Sequence, residues 1–283
     1  MNKQGKLING KVVGGIEWTK TINPDGTEQR GFTWNPVGGC FHRCRWTMPD
    51  GTTATCYAEL VAENVAQAAY PLGFANHYWN PDRLGEPLRV KQPARIFLDS
   101  MSDLMGHWVP GEQIQAVLDI CQQASQHTFQ LLTKNAPRLA QFAYPPNIWV
   151  GVSSPPDSFM GKPLSRPQQI RMLKRSLEVL RQIEVPVKWM SVEPLSWDIA
   201  PHLVGSALNW VVVGAATNGP RQYQPEPEHV SRLLGVLDRE QVPVFFKGNL
   251  EWQPWREGFP TAMQPPMPLL TEGEVIDAQT LSS

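Results

Sequence analysis

Charge is scarce in this sequence. Lys, Arg, Asp and Glu make up 18% of the 283 residues, and 25 basic against 26 acidic side chains leave a formal net charge of -1. Binding to nucleic acid by bulk electrostatic attraction is thereby excluded, because that mode needs a strongly basic surface. Any nucleic-acid contact has to rest on a local patch or a pocket. Long apolar runs are missing too. The stretch 210–216 is the longest, far short of the ~20 residues that span a bilayer. The opening MNKQGKLINGKVVGG has no apolar core of the kind found in secretory signals, so the expectation is a cytoplasmic protein that makes no membrane contact. Internal repeats and low-complexity blocks are absent. Cysteine is limited to four residues, three of them within 40–56. That is a poor basis for a disulfide framework; in a reducing compartment such a group more often binds metal or performs catalysis.

What the sequence does hold is apolar residues (41%), 27 prolines and 11 tryptophans, enough for a sizeable core punctuated by loops. Residues 15–34 alternate around Asn23-Pro24-Asp25-Gly26, which predicts an N-terminal β-hairpin. Beyond residue 57, strand and helix signals follow one another. Helices are predicted over 57–69, 112–125, 167–182 and 228–240, and short apolar strands over 96–98, 129–132, 148–152, 187–190, 210–213 and 244–246. Strands this uniformly apolar are covered on both faces and therefore parallel. With a strand around Phe32, the expected fold class is α/β: a partial or closed parallel β/α (TIM-like) barrel of about six or seven units. A doubly wound open sheet is the alternative. The expected division is a hairpin extension over 1–30, the barrel over 31–250 and a tail over 251–283.

Both architectures bind ligands at the carboxyl ends of the strands. Polar residues appear there: Asp99, Ser100 and Asp103; Thr133 and Lys134; Ser153 and Ser154; Ser191 and Glu193; Thr217 and Asn218; Lys247. Singly, each reads as a cap or turn residue; together they read as a polar pocket. Cys40 and Cys44 lie on the loop after the first of these strands, and Cys56 opens a helix. Three thiolates can hold three irons of a [4Fe–4S] cluster and leave the fourth open. The same three with His42 can hold structural zinc. Cys121 sits among Ile114, Val117 and Leu118 in a helical pattern and reads as a core residue.

Several segments resemble the radical S-adenosylmethionine superfamily, and within it a compact, phage-associated branch. They include Thr33-Trp34-Asn35-Pro36-Val37-Gly38-Gly39-Cys40, Cys56-Tyr57-Ala58-Glu59, Ser100-Met101-Ser102-Asp103-Leu104, Leu131-Leu132-Thr133-Lys134, Ser191-Val192-Glu193-Pro194-Leu195 and Phe245-Phe246-Lys247. The resemblance implies a [4Fe–4S] cluster on Cys40, Cys44 and Cys56, and S-adenosyl-L-methionine gripped along Tyr57, Ser100, Asp103, Thr133, Lys134 and Ser153. It also implies an electron donor such as flavodoxin or ferredoxin. Three departures stand out: eleven residues between the second and third cysteines, read as an inserted hairpin over 45–55; Gly214-Ala215-Ala216-Thr217 where relatives carry Gly-Gly-Glu-Ser; and Lys247-Gly248-Asn249-Leu250 where they carry Lys-Gln-Trp-Gly.

The branch resembles enzymes encoded by phages that remodel thymine in their own DNA. The substrate implied is a glycyl-modified thymine, isomerised from a nitrogen link to an α-carbon link, with Lys247 and Glu193 as catalytic residues and Lys247 meeting Glu193 or Asp99. Trp34, Trp46, Trp79 and Trp108 are candidate walls for a flipped base, and Arg43 and Arg45, or Arg171, Lys174 and Arg175, candidate phosphate contacts. The alternatives are a radical enzyme acting on tRNA, a peptide or a DNA lesion, and a non-catalytic zinc-stabilised module that binds nucleic acid.

Overall fold

The computed structural model describes residues 1–48, 50–218 and 221–260. Of the expected tail over 251–283, residues 261–283 lie outside them, whereas Glu257 bridges to Phe245 of the last strand. Its centre is an eight-stranded sheet. The strands are β1 (Asn2–Lys3), β2 (Phe32–Trp34), β3 (Arg95–Leu98), β4 (Thr128–Thr133), β5 (Ile148–Ser153), β6 (Lys188–Val192), β7 (Trp210–Val213) and β8 (Val244–Phe246). From β2 to β8 they are parallel neighbours in sequence order, and β1 is antiparallel on the β2 edge. Among the described residues β8 does not pair with β2 or β1, so the sheet is open rather than closed.

Two observations separate this sheet from a doubly wound one. The strand order never reverses, so there is no topological switch point. The main helices also share one face. Residues of α2 (Gly111–Gln123), α3 (Arg166–Gln182) and α4 (Pro227–Arg239) join Ile96, Leu98, Phe129, Leu131, Val150, Val152, Val211 and Val213 in a single outer core. The alternate, inward positions Phe97, Trp149, Trp189, Trp210, Val212 and Phe245 form a second core with Trp18, which comes from outside the sheet. That is the two-layer logic of a barrel wall, realised here as an open barrel.

Helix starts follow from local chemistry. α3 opens with a capping box of Ser165 and Gln168 and a proline in its first turn, and α4 opens on Pro227. The predicted helix over 57–69 is shorter, α1 (Tyr57–Asn64). Asn64 Nδ2 turns back on the Leu60 carbonyl (2.8 Å), and Val65, with no core to meet, is 81% exposed, so the chain leaves the helix there.

The predicted hairpin over 15–34 is also shorter. The Asn23–Gly26 turn joins strands Thr21–Ile22 and Glu28–Gln29, whereas Glu17–Thr19 is a helical turn. The reason is tertiary. Trp18 is 3% exposed and drops into the inner core, 4.7 Å from the Phe97 ring and 5.1 Å from that of Trp189. This segment is bonded on both sides of the opening. Arg95 Nη1 of β3 donates to the Lys20 carbonyl (2.6 Å), and the Gly248 amide beyond β8 donates to Glu17 (2.6 Å). Beneath it, buried Lys20 pairs with buried Glu28 at 3.0 Å and with Glu257 at 2.6 Å. Among the described residues no helix is long and apolar enough to cross a membrane.

Candidate functional site

The loop after β2 is held from three directions. Asn35, 5% exposed, accepts from Ser100 Oγ (3.1 Å) and the Met101 amide (3.2 Å). The Val37 amide donates to Asp99 (3.0 Å). Gly39 has φ +78°, and a Cβ there would run into the Asn76 carbonyl, so only glycine fits. Its amide donates to the Met101 carbonyl and the next amide, of Cys40, to the Phe74 carbonyl. Cys40 thus sits on a frame fixed by the loops after β3 and around Phe74.

Cys44 leads into the hairpin Arg45–Thr47/Thr53–Thr55, in which Arg45 faces Thr55 and Thr47 faces Thr53. The expected insertion over 45–55 is therefore a hairpin, and Cys44 and Cys56 flank its base. Cys44 and Cys56 belong to one apolar cluster with Trp46, Met48 and Ala54, while Cys40 and Cys56 pack on another with Ala58, Ala62 and Phe74. Cys56 links the two, so the structure brings all three thiols together. None of the four cysteines is in a disulfide. Burial pushes the Cys44 thiol up to about 12 and Cys40 well above its ordinary value, with Asp103 and the other two thiols adding to the latter. Such thiols need a cation to ionise. Cys121 is fully buried in the outer core on α2, away from this group.

The chemistry of the donors suits an iron–sulfur cluster. The donor set is three sulfurs. Among the described residues, no group of three or more His, Cys, Asp or Glu side chains is arranged to hold a metal ion. His42 is 2% exposed, with its Nδ1 3.4 Å from Asp103 and its ring against Trp108 and Phe159. Burial pulls its pKa down to about 4. Lys134 lies within electrostatic reach of the group: burial pulls its pKa down, but Cys44, Cys56, Asp103 and Cys40 raise it by more.

The remaining candidates divide. Ser153 and Ser191 are register partners on β5 and β6. Ser191 Oγ donates to Glu193 (3.2 Å), and Lys247 Nζ pairs with the other Glu193 oxygen at 3.1 Å. Gly214 lies under this pair, with its missing Cβ 3.2 Å from Glu193 Cγ and 3.3 Å from Lys247 Cβ. Tyr57 donates to the Ser100 carbonyl (2.6 Å) and lies within electrostatic reach of Cys56 and Glu193, which links the thiols to the ion pair. Asp103 is turned into the protein, accepting from the Met105 and Lys134 amides at 3.0 and 2.8 Å. Thr133 accepts from the Asn135 amide.

Asp99 is not a partner of Lys247. It is 2% exposed with φ 51°, one oxygen on the Val37 amide and the other without a hydrogen-bond partner among the described residues; burial raises its pKa well above the carboxylate range. Trp34 is no base wall, because it is fully buried in the outer core with its Nε1 on the Arg83 carbonyl. Trp46 is buried in the hairpin's own cluster, and Trp108 stacks on Phe41 at 4.7 Å. Arg45 is committed to Glu59, whereas Arg43, Arg171, Lys174 and Arg175 are exposed.

Sequence reasoning missed Asn35 and Asn249. The Asn249 side chain accepts from the Ala215 amide (3.2 Å) and donates to the Ala215 carbonyl (2.8 Å) and Thr217 Oγ1 (3.1 Å), clamping the loop after β7. An asparagine beside a proline or glycine just past an apolar run was the available signal.

No curated protein matches this chain. Among solved structures, a spore photoproduct lyase complexed with dinucleoside spore photoproduct is similar at 10% identity and TM-score 0.38, covering 77% of this chain and 62% of that one. A cysteine-to-serine variant of spore photoproduct lyase gives 10% identity and TM-score 0.45, over 77% of this chain and 76% of that one. SuiB of Streptococcus suis gives 11% identity and TM-score 0.38, over 77% and 48%. The chain thus spans less than two thirds of the first and third of these. Residues 14–278 match the model of the family described as protein of unknown function DUF5131, and the chain belongs to that family.

Proposed function

We propose that this chain is a radical S-adenosylmethionine enzyme in which Cys40, Cys44 and Cys56 hold a [4Fe–4S] cluster. The observation that carries the reading is the meeting of three disulfide-free thiols at the carboxyl ends of the strands, with Lys134 within electrostatic reach of them and Tyr57 leading from Cys56 toward Glu193. When bound, the cluster and S-adenosylmethionine supply a carbon radical that abstracts hydrogen from a substrate carbon. The chain's own contribution is positional. Lys134 offsets the negative charge of the thiolates. Asn35 and Asp103 fix the loops around them, and Ser153 and Ser191 offer hydroxyls to a ribose or substrate at the mouth.

The substrate we favour is a glycyl-modified thymine in DNA, converted from the nitrogen-linked to the Cα-linked isomer. Its support is the Glu193–Lys247 pair just beyond the ends of β6 and β8. An ammonium there can take a glycyl carboxylate, and the displaced Glu193 can accept or return a proton at the glycyl nitrogen. The electron comes from a flavodoxin- or ferredoxin-like donor, and the enzyme works in the cytoplasm of the host cell. The test is mass spectrometry of nucleosides from DNA carrying the N-linked glycyl thymine, incubated with anaerobically reconstituted protein, reductant and S-adenosylmethionine. A product of unchanged mass and new retention time, formed only when reductant and S-adenosylmethionine are both present, is expected. Formation of 5′-deoxyadenosine with the nucleoside unchanged would remove this substrate and leave tRNA, peptides or DNA lesions.

A further inference from the structure

Eleven residues separate Cys44 from Cys56, enough chain for the two thiols to drift apart, and an isolated two-stranded hairpin is marginal in water. The ladder Arg45–Thr55, Trp46–Ala54, Thr47–Thr53 makes Cys44 and Cys56 the next facing positions, just beyond its last pair. At that open end one side chain joins both arms. Arg45 Nη1 donates to the Cys44 carbonyl (2.9 Å) and to Glu59 Oε2 (2.6 Å), and Nη2 donates to Glu59 Oε1 (2.6 Å). Glu59 lies in the first turn of α1, three residues past Cys56. The pair is mostly buried, with 29% and 15% of the side chains exposed. A guanidinium suits this task because its rigid fork grips a carboxylate with two bonds and still has a donor left for a carbonyl. The far end of the hairpin is held separately, by Tyr223 on Thr52 (3.0 Å) and Asp50 (3.2 Å).

We propose that Arg45 and Glu59 are positioning residues, a clasp that sets the spacing of the Cys44 and Cys56 thiols before any cluster binds. The proposal rests on the radical-enzyme reading for its purpose, but not for its geometry. It predicts that loosening the clasp separates the thiols even in metal-free protein, whereas loosening the far end of the hairpin does not.

The test uses the full chain with Glu59→Gln, Arg45→Met and Tyr223→Phe, each checked for an unchanged thermal midpoint. In a Cys40→Ser, Cys121→Ser background, the metal-free protein is treated with diamide and closure of the Cys44–Cys56 disulfide is followed by mass spectrometry. In the otherwise unchanged sequence, anaerobically loaded protein is challenged with a chelator, and cluster loss is followed by absorbance and by electron paramagnetic resonance after reduction. Closure about tenfold slower in Glu59→Gln and Arg45→Met is expected, with cluster loss about tenfold faster and Tyr223→Phe like the parent in both. Equal closure in all variants, or the same slowing in Tyr223→Phe, overturns the clasp whatever the metal. Slower closure in the two clasp variants alone, in a chain that takes up no iron and sulfide, upholds the spacing role and overturns the cluster reading instead.

Discussion

The inner face of the sheet has two halves that share strands and differ in chemistry. Its floor is aromatic: Trp149, Trp189, Trp210, Phe97 and Phe245, plugged by Trp18. Its mouth is polar: Ser153, Ser191, Glu193, Lys134 and Lys247. The change takes two to four residues along a strand, from Trp149 to Ser153, from Trp189 to Ser191 and Glu193, from Phe245 to Lys247. Because side chains alternate with period two, each strand can devote its early inward positions to packing and its last ones to chemistry. The comparison teaches that stability and function are separable here, and that substitutions should sort by half.

The largest expected effect belongs to the floor. Trp189 is fully buried and lies over Gly151, its register partner, whose missing Cβ would otherwise occupy the ring's place. Trp189→Ala should lower stability by about 3–5 kcal/mol in urea titration, while a loss below about 1 kcal/mol would mean that the floor is loosely packed.

Next is the ion pair beneath the floor. Burial raises the Glu28 pKa, but the Val12 amide, Lys20 and Lys11 lower it by more, and the net shift is downward. A carboxylate depressed in the folded state stabilises above its unfolded value and loses that contribution as pH falls through the folded one. Glu28→Gln should therefore cost about 3 kcal/mol at neutral pH, and the difference from the parent should shrink as the pH falls below the usual carboxylate range. A difference that stays constant down to strongly acidic pH would contradict this.

At the mouth the pattern reverses. Lys247→Ala, in a pair with 32% and 15% of the side chains exposed, should change stability by only about 1 kcal/mol yet leave S-adenosylmethionine cleavage intact and uncouple it from product. Unchanged coupling would remove Lys247 from the site. Smallest of all, Lys174→Ala on the solvated face of α3 should move neither stability, by more than about 0.5 kcal/mol, nor turnover; a weaker affinity for DNA would instead restore the phosphate contact first read there.

The two halves were unequally legible in the sequence. Short, wholly apolar runs marked the parallel strands, and the ends of those runs marked the mouth, because burial on both faces and its abrupt end are composition signals. The floor's plug was not legible. The stretch around Trp18 alternates like a strand, and only the tertiary demand to bury an indole makes it a helical turn. Asp99 and Trp34 were misplaced because a residue next to a strand end can face either layer, and register decides which. The cysteines were visible as a group, but the facing of Cys44 and Cys56 depends on hairpin register and on Arg45 finding Glu59, which no spacing rule encodes.

Metal analysis of protein purified without oxygen tests the central claim most directly, with iron and acid-labile sulfide counted per chain and Mössbauer spectra recorded with and without S-adenosylmethionine. The account predicts about four irons and four sulfides, one iron site shifting when S-adenosylmethionine is added, loss of the cluster in Cys56→Ala and its retention in Cys121→Ala. One tetrahedral zinc per chain, with no sulfide and no response to S-adenosylmethionine, would contradict it.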